Sequence, residues 1–435
     1  MLTYESLSAG VRSVKPANRP ESKAAWTTAS AATTLRSANC PACGFRVGAP
    51  FYDGGRQPLA MIAWPASAIE AQTMPRYPLD FVRCIECGHV YNAAFQYANV
   101  PYASKPNLMF NRGASWSGFL TQLRTKTIAR LPEKATVVEI GHGDGHFLAG
   151  LAQERPDGRY IGFDPHGAQS KDLPNVELRA ALFDPFRHIQ ELQPDLIVSR
   201  HVLEHLIDPL SLLQGINLAS NVMARQISLL FEVPCVDRAI AFGRLADFYY
   251  EHYSHFTTQS FQRMLNRSDL EMEELGHGYE GEVVYAFLRT LPHADQLLRL
   301  DSTLRFFEVA HQSPVGIAAQ LDRLYATGKR IAIWGGVGKC AAFLNAYGLD
   351  RERFPLVVDS DKGKAGTFVP GTGQEIRSSD YLFEHPVDTI IAPAQWRARD
   401  IASEIQKMNL ASELLIEHQG QLVNYYSDSH PYQSK

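Results

Sequence analysis

Apolar and polar positions follow two rhythms along this chain. Thr136-Val-Val-Glu-Ile140 is a short apolar, β-branched run, the pattern of a buried strand. Similar runs occupy 159–163, about 175–179, 194–199 and 226–233, with helical periodicity between the first four and after 198. Strand and helix in alternation predict a doubly wound parallel sheet. A helix from about Trp116 to Leu131 leads into it, and Thr257 and Thr258 are N-cap candidates for a helix reaching Leu265. The amphipathic stretch from Ala294 to Ala326 predicts a long helix or a pair, with Pro314 and Gly316 breaking it. A second strand–loop–helix rhythm follows, with strands at 330–334, 355–359, 388–392 and 414–416 and a helix from Cys340 to Tyr347.

Length changes the picture first. At 435 residues the chain exceeds one ordinary domain, so two or three are expected. The formal net charge of -4 argues against a nucleic-acid surface. No apolar run of about eighteen residues predicts a membrane helix. Residues 1–37, rich in Ala, Ser and Thr with scattered Arg and Lys, read as a disordered tail rather than a transit peptide. Six cysteines are present, four of them as Cys40-Pro-Ala-Cys43 and Cys84-Ile-Glu-Cys87. Each pair sets two thiolates on one tight turn, half of a tetrahedral site, so together they predict structural Zn(Cys)4. Two matched pairs speak against a redox dithiol, and metal spacing favours a reducing cytoplasm. The long interval between the pairs calls for an inserted loop or small sheet.

Candidate chemistry gathers at three places. Gly141, Gly143 and Gly145 follow the strand ending at Ile140, and a second strand ends in Asp164, placed to meet a ribose diol. Glu139 precedes the first glycine. A dinucleotide fold would carry its third glycine one position later. The compact Glu139-x-Gly-x-Gly-x-Gly145 form resembles the loop of class I S-adenosylmethionine (SAM)-dependent methyltransferases, with a dinucleotide site and a ligand-free turn as the alternatives. Ser199-Arg-His-Val-Leu-Glu-His-Leu206 follows the fourth strand, so His201 and His205 face the ligand crevice, although His205 could instead satisfy a backbone group. Tyr249, Tyr250, Glu251, His252, Tyr253 and His255 crowd into seven positions, a pocket wall or a polar surface loop. Farther on, Gly336-x-Gly338-x-x-Ala341 with Asp359 fits a dinucleotide fingerprint, not a Walker loop.

From Cys40 onward the chain resembles the three-part sugar C-methyltransferase family. The resemblance rests on the paired Cys motifs with Gln57-Pro-Leu-Ala60 and Tyr77-Pro-Leu-Asp80, on His201-Val-Leu-Glu-His-Leu206, on Tyr250-Glu-His252, and on Val369-Pro-Gly-Thr372. It implies a zinc-binding domain at 38–100, a SAM-binding methyltransferase domain at 101–290 and a Rossmann-like domain at 291–425. The implied reaction is SAM-dependent methylation of the carbon next to the ketone of a nucleotide-linked 4-keto-6-deoxyhexose, by a cytoplasmic monomer or homodimer that uses neither nucleic acid nor membrane. The implied catalytic set is His252 as base, Glu251 as its orienting carboxylate, His205 as donor to the enolate oxygen, and Tyr249 and Tyr102 on the sugar side. Glu139, Gly141, Gly143, Gly145, Asp164 and His201 would hold SAM; Cys40, Cys43, Cys84 and Cys87 would hold structural zinc. Tyr250 stands where relatives often have His, and His142 and His146 are unusual in the glycine loop, so the acceptor stays open. The alternatives are another carbon or oxygen acceptor, or a non-catalytic NAD- or nucleotide-binding protein.

Overall fold

The computed structural model describes residues 35–62, 64–102, 113–167 and 173–433. The expected N-terminal tail lies outside them up to residue 34. The chain divides into two compact units, Met1–His293 and Ala294–Lys435.

The first unit begins with an antiparallel sheet of β1 (Arg36–Ser37), β2 (Val47–Gln57), β3 (Tyr77–Cys84) and β4 (Val90–Asn92). The interval between the two Cys pairs is therefore mainly the β2–β3 antiparallel pair. A parallel sheet follows, built from β5 (Thr136–Ile140), β6 (Arg159–Asp164), β7 (Val176–Ala180), β8 (Leu196–Arg200) and β9 (Ser228–Pro234). Val137, Val138, Leu196, Ile197, Val198, Leu229, Leu230 and Phe231 are fully buried, as strands covered on both faces must be. After β10 (Ser254–His255), β11 (Glu271–Gly278) and β12 (Val283–Arg289) complete the large sheet in the order β11-β12-β9-β8-β5-β6-β7. β12 runs antiparallel between β9 and β11. This is the expected class I methyltransferase sheet.

Two features of this topology position a site. The chain leaves β5 toward β6 and β7, then crosses back to β8, so the strand order reverses between β5 and β8. Ligand crevices open at such switch points, beyond the carboxyl ends of the strands. β10, meanwhile, pairs with β4, so the segment after β9 completes the small sheet. Residues 249–255 are thereby carried back beside that crevice. One hydrophobic cluster runs from the cysteines and Tyr91 through Phe256 and Phe261 to Val138 and Ile161. The helix Thr258–Asn266 starts where the threonines predicted: the Thr257 hydroxyl accepts from Ser260 N at 3.0 Å, and Ser260 Oγ accepts from Thr257 N at 3.0 Å.

The second unit opens with one continuous helix, Ala294–Ala326, which passes through Pro314 instead of breaking there. Proline removes one N–H and crowds the preceding turn, which bends a helix without having to end it. Ser313, Ile317 and Leu321 share one buried face that starts just before the proline and anchors the second half. The sheet holds β13 (Ile331–Trp334), β14 (Val357–Asp359), β15 (Ile376–Ser378), β16 (Thr389–Ala392), β17 (Glu413–His418) and β18 (Gln421–Asn424), in the order β15-β14-β13-β16-β17-β18. All neighbours are parallel except β17 and β18. A Cβ on Gly336 would fall 2.4 Å from Ile376 Cδ1, so packing against the sheet already requires this glycine. Asp359 is buried and paired with Lys364 Nζ at 3.1 Å.

Candidate active site

The cysteines come together as a compact buried cluster. Cys40 and Cys87 sulfurs lie 3.6 Å apart, Cys43 and Cys84 sulfurs 3.7 Å apart, and all four lie within 4.8 Å of one another. A tetrahedron with zinc–sulfur arms of about 2.3 Å has edges of about 3.8 Å. The four thiols are unbridged. Each knuckle closes on a glycine in the left-handed region: Gly44 (φ 72°) donates to Cys40 O and Gly88 (φ 76°) to Cys84 O. The donor set and its spacing fit a zinc-binding domain.

A cavity of about 630 Å³ opens at the switch point. Gly141, His142 and Gly143 form one wall, and His201, Glu204 and His205, after β8, form another. Tyr249, His252 and His255 reach it from the returning segment. Gly141, Gly143 and Gly145 have φ of 72°, 54° and 70°, a region in which side chains are strained. A Cβ on Gly141 would also fall 2.2 Å from Val202 Cγ2. Glu139 lines the cavity and is 2% exposed, with one carboxylate oxygen lacking a hydrogen-bond partner; burial pushes its pKa up to about 8. A bare glycine cradle beside an unpartnered acceptor fits a nucleoside-bearing cofactor such as SAM. Asp164, expected on a ribose, accepts from Gly143 N at 3.1 Å and His166 N at 3.0 Å, and Gly145 caps the helix His146–Glu154. Neither is among the described residues that line the cavity. They shape the loop, because its closely spaced N–H groups need a nearby acceptor.

The histidines and tyrosines converge from distant parts of the sequence. Tyr249 Oη and His252 Nε2 lie 3.0 Å apart, and the His205 and His252 rings are 4.8 Å apart between centroids. Tyr102 Oη donates to Glu251 O at 2.8 Å and lies 3.0 Å from His205 Nδ1. His205 Nδ1 is 2.9 Å from the same carbonyl oxygen. A carbonyl can only accept, so Nδ1 carries the hydrogen of that contact. The expected alternatives for His205 thus both hold: it satisfies a backbone group and lines the cavity. Burial, reinforced by the nearby His205, His255 and His201 rings, depresses the His252 pKa well below the ordinary histidine value. Burial raises the Tyr102 and Tyr249 pKa values, keeping both hydroxyls protonated.

Glu251 does not orient His252 as expected. Its Oε1 accepts from the backbone N–H groups of Ala60 at 2.6 Å, Met61 at 2.7 Å and Ile62 at 3.3 Å. A carboxylate with no solvent exposure needs several donors. The 60–62 turn supplies three, where an imidazole already near Tyr249 could supply one. The motif Gln57-Pro-Leu-Ala60 and the Glu-His pair therefore meet as a structural joint.

Sequence reasoning passed over the charged network beneath the cavity. Arg200 binds Glu232 in a bidentate pair at 3.0 and 3.2 Å, and its guanidinium lies over the Phe147 ring at 4.5 Å. His201, in the left-handed region at φ 54°, sets Nε2 2.8 Å from Glu232 and Nδ1 3.5 Å from Glu204. Burial opposes charge on His201, but Glu204 and Glu232 prevail and raise its pKa to about 9. Burial likewise opposes ionisation of Glu232, yet Arg200 and His201 hold its pKa near 2. Glu232 sits mid-pattern in an apolar strand, and only the spatial pairing of β8 with β9 reveals its partners.

Comparison with known proteins identifies two domains. The model of the methyltransferase domain matches residues 112–275, and that of the C-methyltransferase C-terminal domain matches residues 286–416. No curated protein matches the chain in sequence. Among solved structures, a SAM-dependent methyltransferase from Aquifex aeolicus aligns at 13% identity over 41% of this chain and 94% of that one, with a TM-score of 0.30. Magnesium protoporphyrin IX methyltransferase from Synechocystis, with bound S-adenosylhomocysteine, aligns at 11% identity over 41% and 84%, with a TM-score of 0.30. Among the described residues no helix is long and apolar enough to cross a membrane. With a buried four-cysteine cluster ahead of those two matched domains, the chain belongs to the SAM-dependent methyltransferases that carry a C-methyltransferase C-terminal domain.

Proposed function

We propose that this enzyme methylates the carbon next to the ketone of a nucleotide-linked 4-keto-6-deoxyhexose. The observation that carries the reading is the convergence of Tyr249, His252 and His205 on the same cavity as the Gly141–Gly143 wall. The C-methyltransferase C-terminal domain supports a carbon acceptor, and the sugar rests on the resemblance in the Cys, His201–Leu206 and Tyr250–His252 motifs.

A carbon acceptor needs a proton removed before it can attack. When bound, SAM would supply an activated methyl on its cationic sulfur. His252, kept neutral by burial, takes the proton next to the ketone. The electron pair of that C–H bond delocalises onto the ketone oxygen as an enolate, and His205 steadies that oxygen. Because Nδ1 of His205 is committed to the Glu251 carbonyl, donation from Nε2 requires the protonated ring. Tyr249 fixes the His252 ring through its 3.0 Å contact, and Tyr102 fixes His205. Zinc, held at the cysteines, serves the fold.

The test is turnover. Labelled SAM and a panel of 4-keto nucleotide sugars should give a C-methylated product, with the methyl located by NMR next to the ketone. Methyl transfer to oxygen, or none across the panel, overturns the reading.

A further inference from the structure

Glu204 has no place in the scheme above, yet its setting is unusual. It is 1% exposed, lines the cavity, and neither carboxylate oxygen accepts a hydrogen bond among the described residues. Its nearest cationic group is His201, whose Nδ1 lies 3.5 Å away and whose other nitrogen already faces Glu232 at 2.8 Å. One oxygen of Glu204 and one ring nitrogen each of His205 and His252 lie within 4.8 Å of one another. Glu251 next door commits its Oε1 to the 60–62 backbone and leaves Oε2 without a partner among the described residues. A carboxylate this deeply buried is costly unless something compensates it.

We propose that Glu204 is the counter-anion of the His205–His252 pair: it stabilises the imidazolium formed when the substrate proton arrives. The inference rests on the enolate reading. The step balances simply. The C–H bond breaks, its electron pair stays with the substrate as enolate, and the proton bonds to a His252 ring nitrogen. The positive charge gained in the step then sits on His252, beside His205 and facing Glu204. His252 needs such a partner, because every other ring around it (His205, His255 and His201) opposes its protonation. The groups facing Glu204 from the neighbouring elements are His201, backed by Glu232, and the Tyr102 and Tyr249 hydroxyls, whose ionisation Glu204 opposes. Glu251 and Asp247 also oppose Tyr249 ionisation, but the carboxylate grouped with the His205 and His252 nitrogens within 4.8 Å is that of Glu204. Glu204 acts through the histidines, which makes it a positioning residue.

The test uses the full chain, with Glu204→Gln compared against Glu251→Gln. In deuterated water with S-adenosylhomocysteine, deuterium wash-in next to the ketone is followed against pH. Removing an opposite charge at this range lowers proton affinity by about tenfold or more. Glu204→Gln should therefore slow exchange at least tenfold at neutral pH and move the acid limb to lower pH, with sugar KM and SAM affinity within about threefold of wild type. Glu251→Gln should leave the limb in place. Imidazole NMR of the substrate-free protein, with His252 assigned from His252→Asn, gives a second readout: the His252 titration should move down at least one unit in Glu204→Gln. An unmoved titration and limb in Glu204→Gln overturn the inference. So does a second tightly held metal equivalent that Glu204→Gln abolishes, since Glu204 would then be a ligand. Absence of exchange in wild type, with the NMR shift present, counts against the sugar reading and leaves the inference standing.

Discussion

At the scale of single residues, the proton decides between the two histidines. His252→Asn keeps much of the shape but cannot act as base, so deuterium exchange next to the ketone should fall by about 10²–10⁴-fold. His205→Asn should cost about 10²–10³-fold, the scale of one lost oxyanion donor. The order is diagnostic, because both rings line the same cavity and either is by its chemistry a proton acceptor. Exchange abolished in His205→Asn and intact in His252→Asn would reverse the roles. His201 gives a separate test in stability. Its pKa rises from the ordinary value near 6.5 to about 9 on folding. Its contribution is therefore complete below pH 6.5 and is lost as pH climbs through 9. Asn tolerates the left-handed backbone, so His201→Asn isolates the charge. Wild type should exceed this variant by up to about 3 kcal/mol at pH 6, and thermal melts should show that margin disappearing by pH 10.

At the scale of elements, the β5 loop and the returning segment do different work. The loop makes room. Gly143 lines the cavity at φ 54°, so Gly143→Val both strains the backbone, by about 1–2 kcal/mol, and fills ligand space. Calorimetry should show SAM binding weakened at least tenfold, with the fold retained by circular dichroism. Unchanged affinity would move SAM elsewhere. The returning segment brings chemistry: β10 pairs with β4, and Glu251 ties it to residues 60–62. The small sheet thus sets the height at which His252 enters the cavity.

At the scale of the molecule, that coupling gives the cysteines a consequence beyond their own sheet. One hydrophobic cluster joins them to the core of the large sheet. Purified protein should contain about one zinc per chain, as one tetrahedral site requires. Cys43→Ser should lose the metal and, through the shared core, lower both the melting temperature and activity. Full activity in a metal-free preparation would show that the thiols hold the sheet without an ion.

What was legible in the sequence was whatever a local pattern dictates. Short β-branched runs, glycines at left-handed positions, the Thr257 cap and the paired Cys-x-x-Cys turns each need only neighbouring residues, so β5 to β9, four strands of the second sheet and the four-cysteine cluster could be read directly, whereas β11, β12, β15 and β18 could not. The helix continues through Pro314 against its local propensity because a buried face, Ser313, Ile317 and Leu321, holds the turns around and after the proline. The site was partly legible: His205, Tyr249 and His252 stand out by composition, and β8's carboxyl end predicts its crevice. What only the tertiary structure decided was which acid serves which base. Glu251 and His252 are adjacent along the chain, yet successive side chains point in different directions, and a buried carboxylate goes where several N–H donors converge. Those donors lie at Ala60, Met61 and Ile62, nearly two hundred residues away. The acid left facing the histidines is Glu204, brought there by the crossing from β7 back to β8, because ion pairing in a low-dielectric interior follows distance in space and not order along the chain.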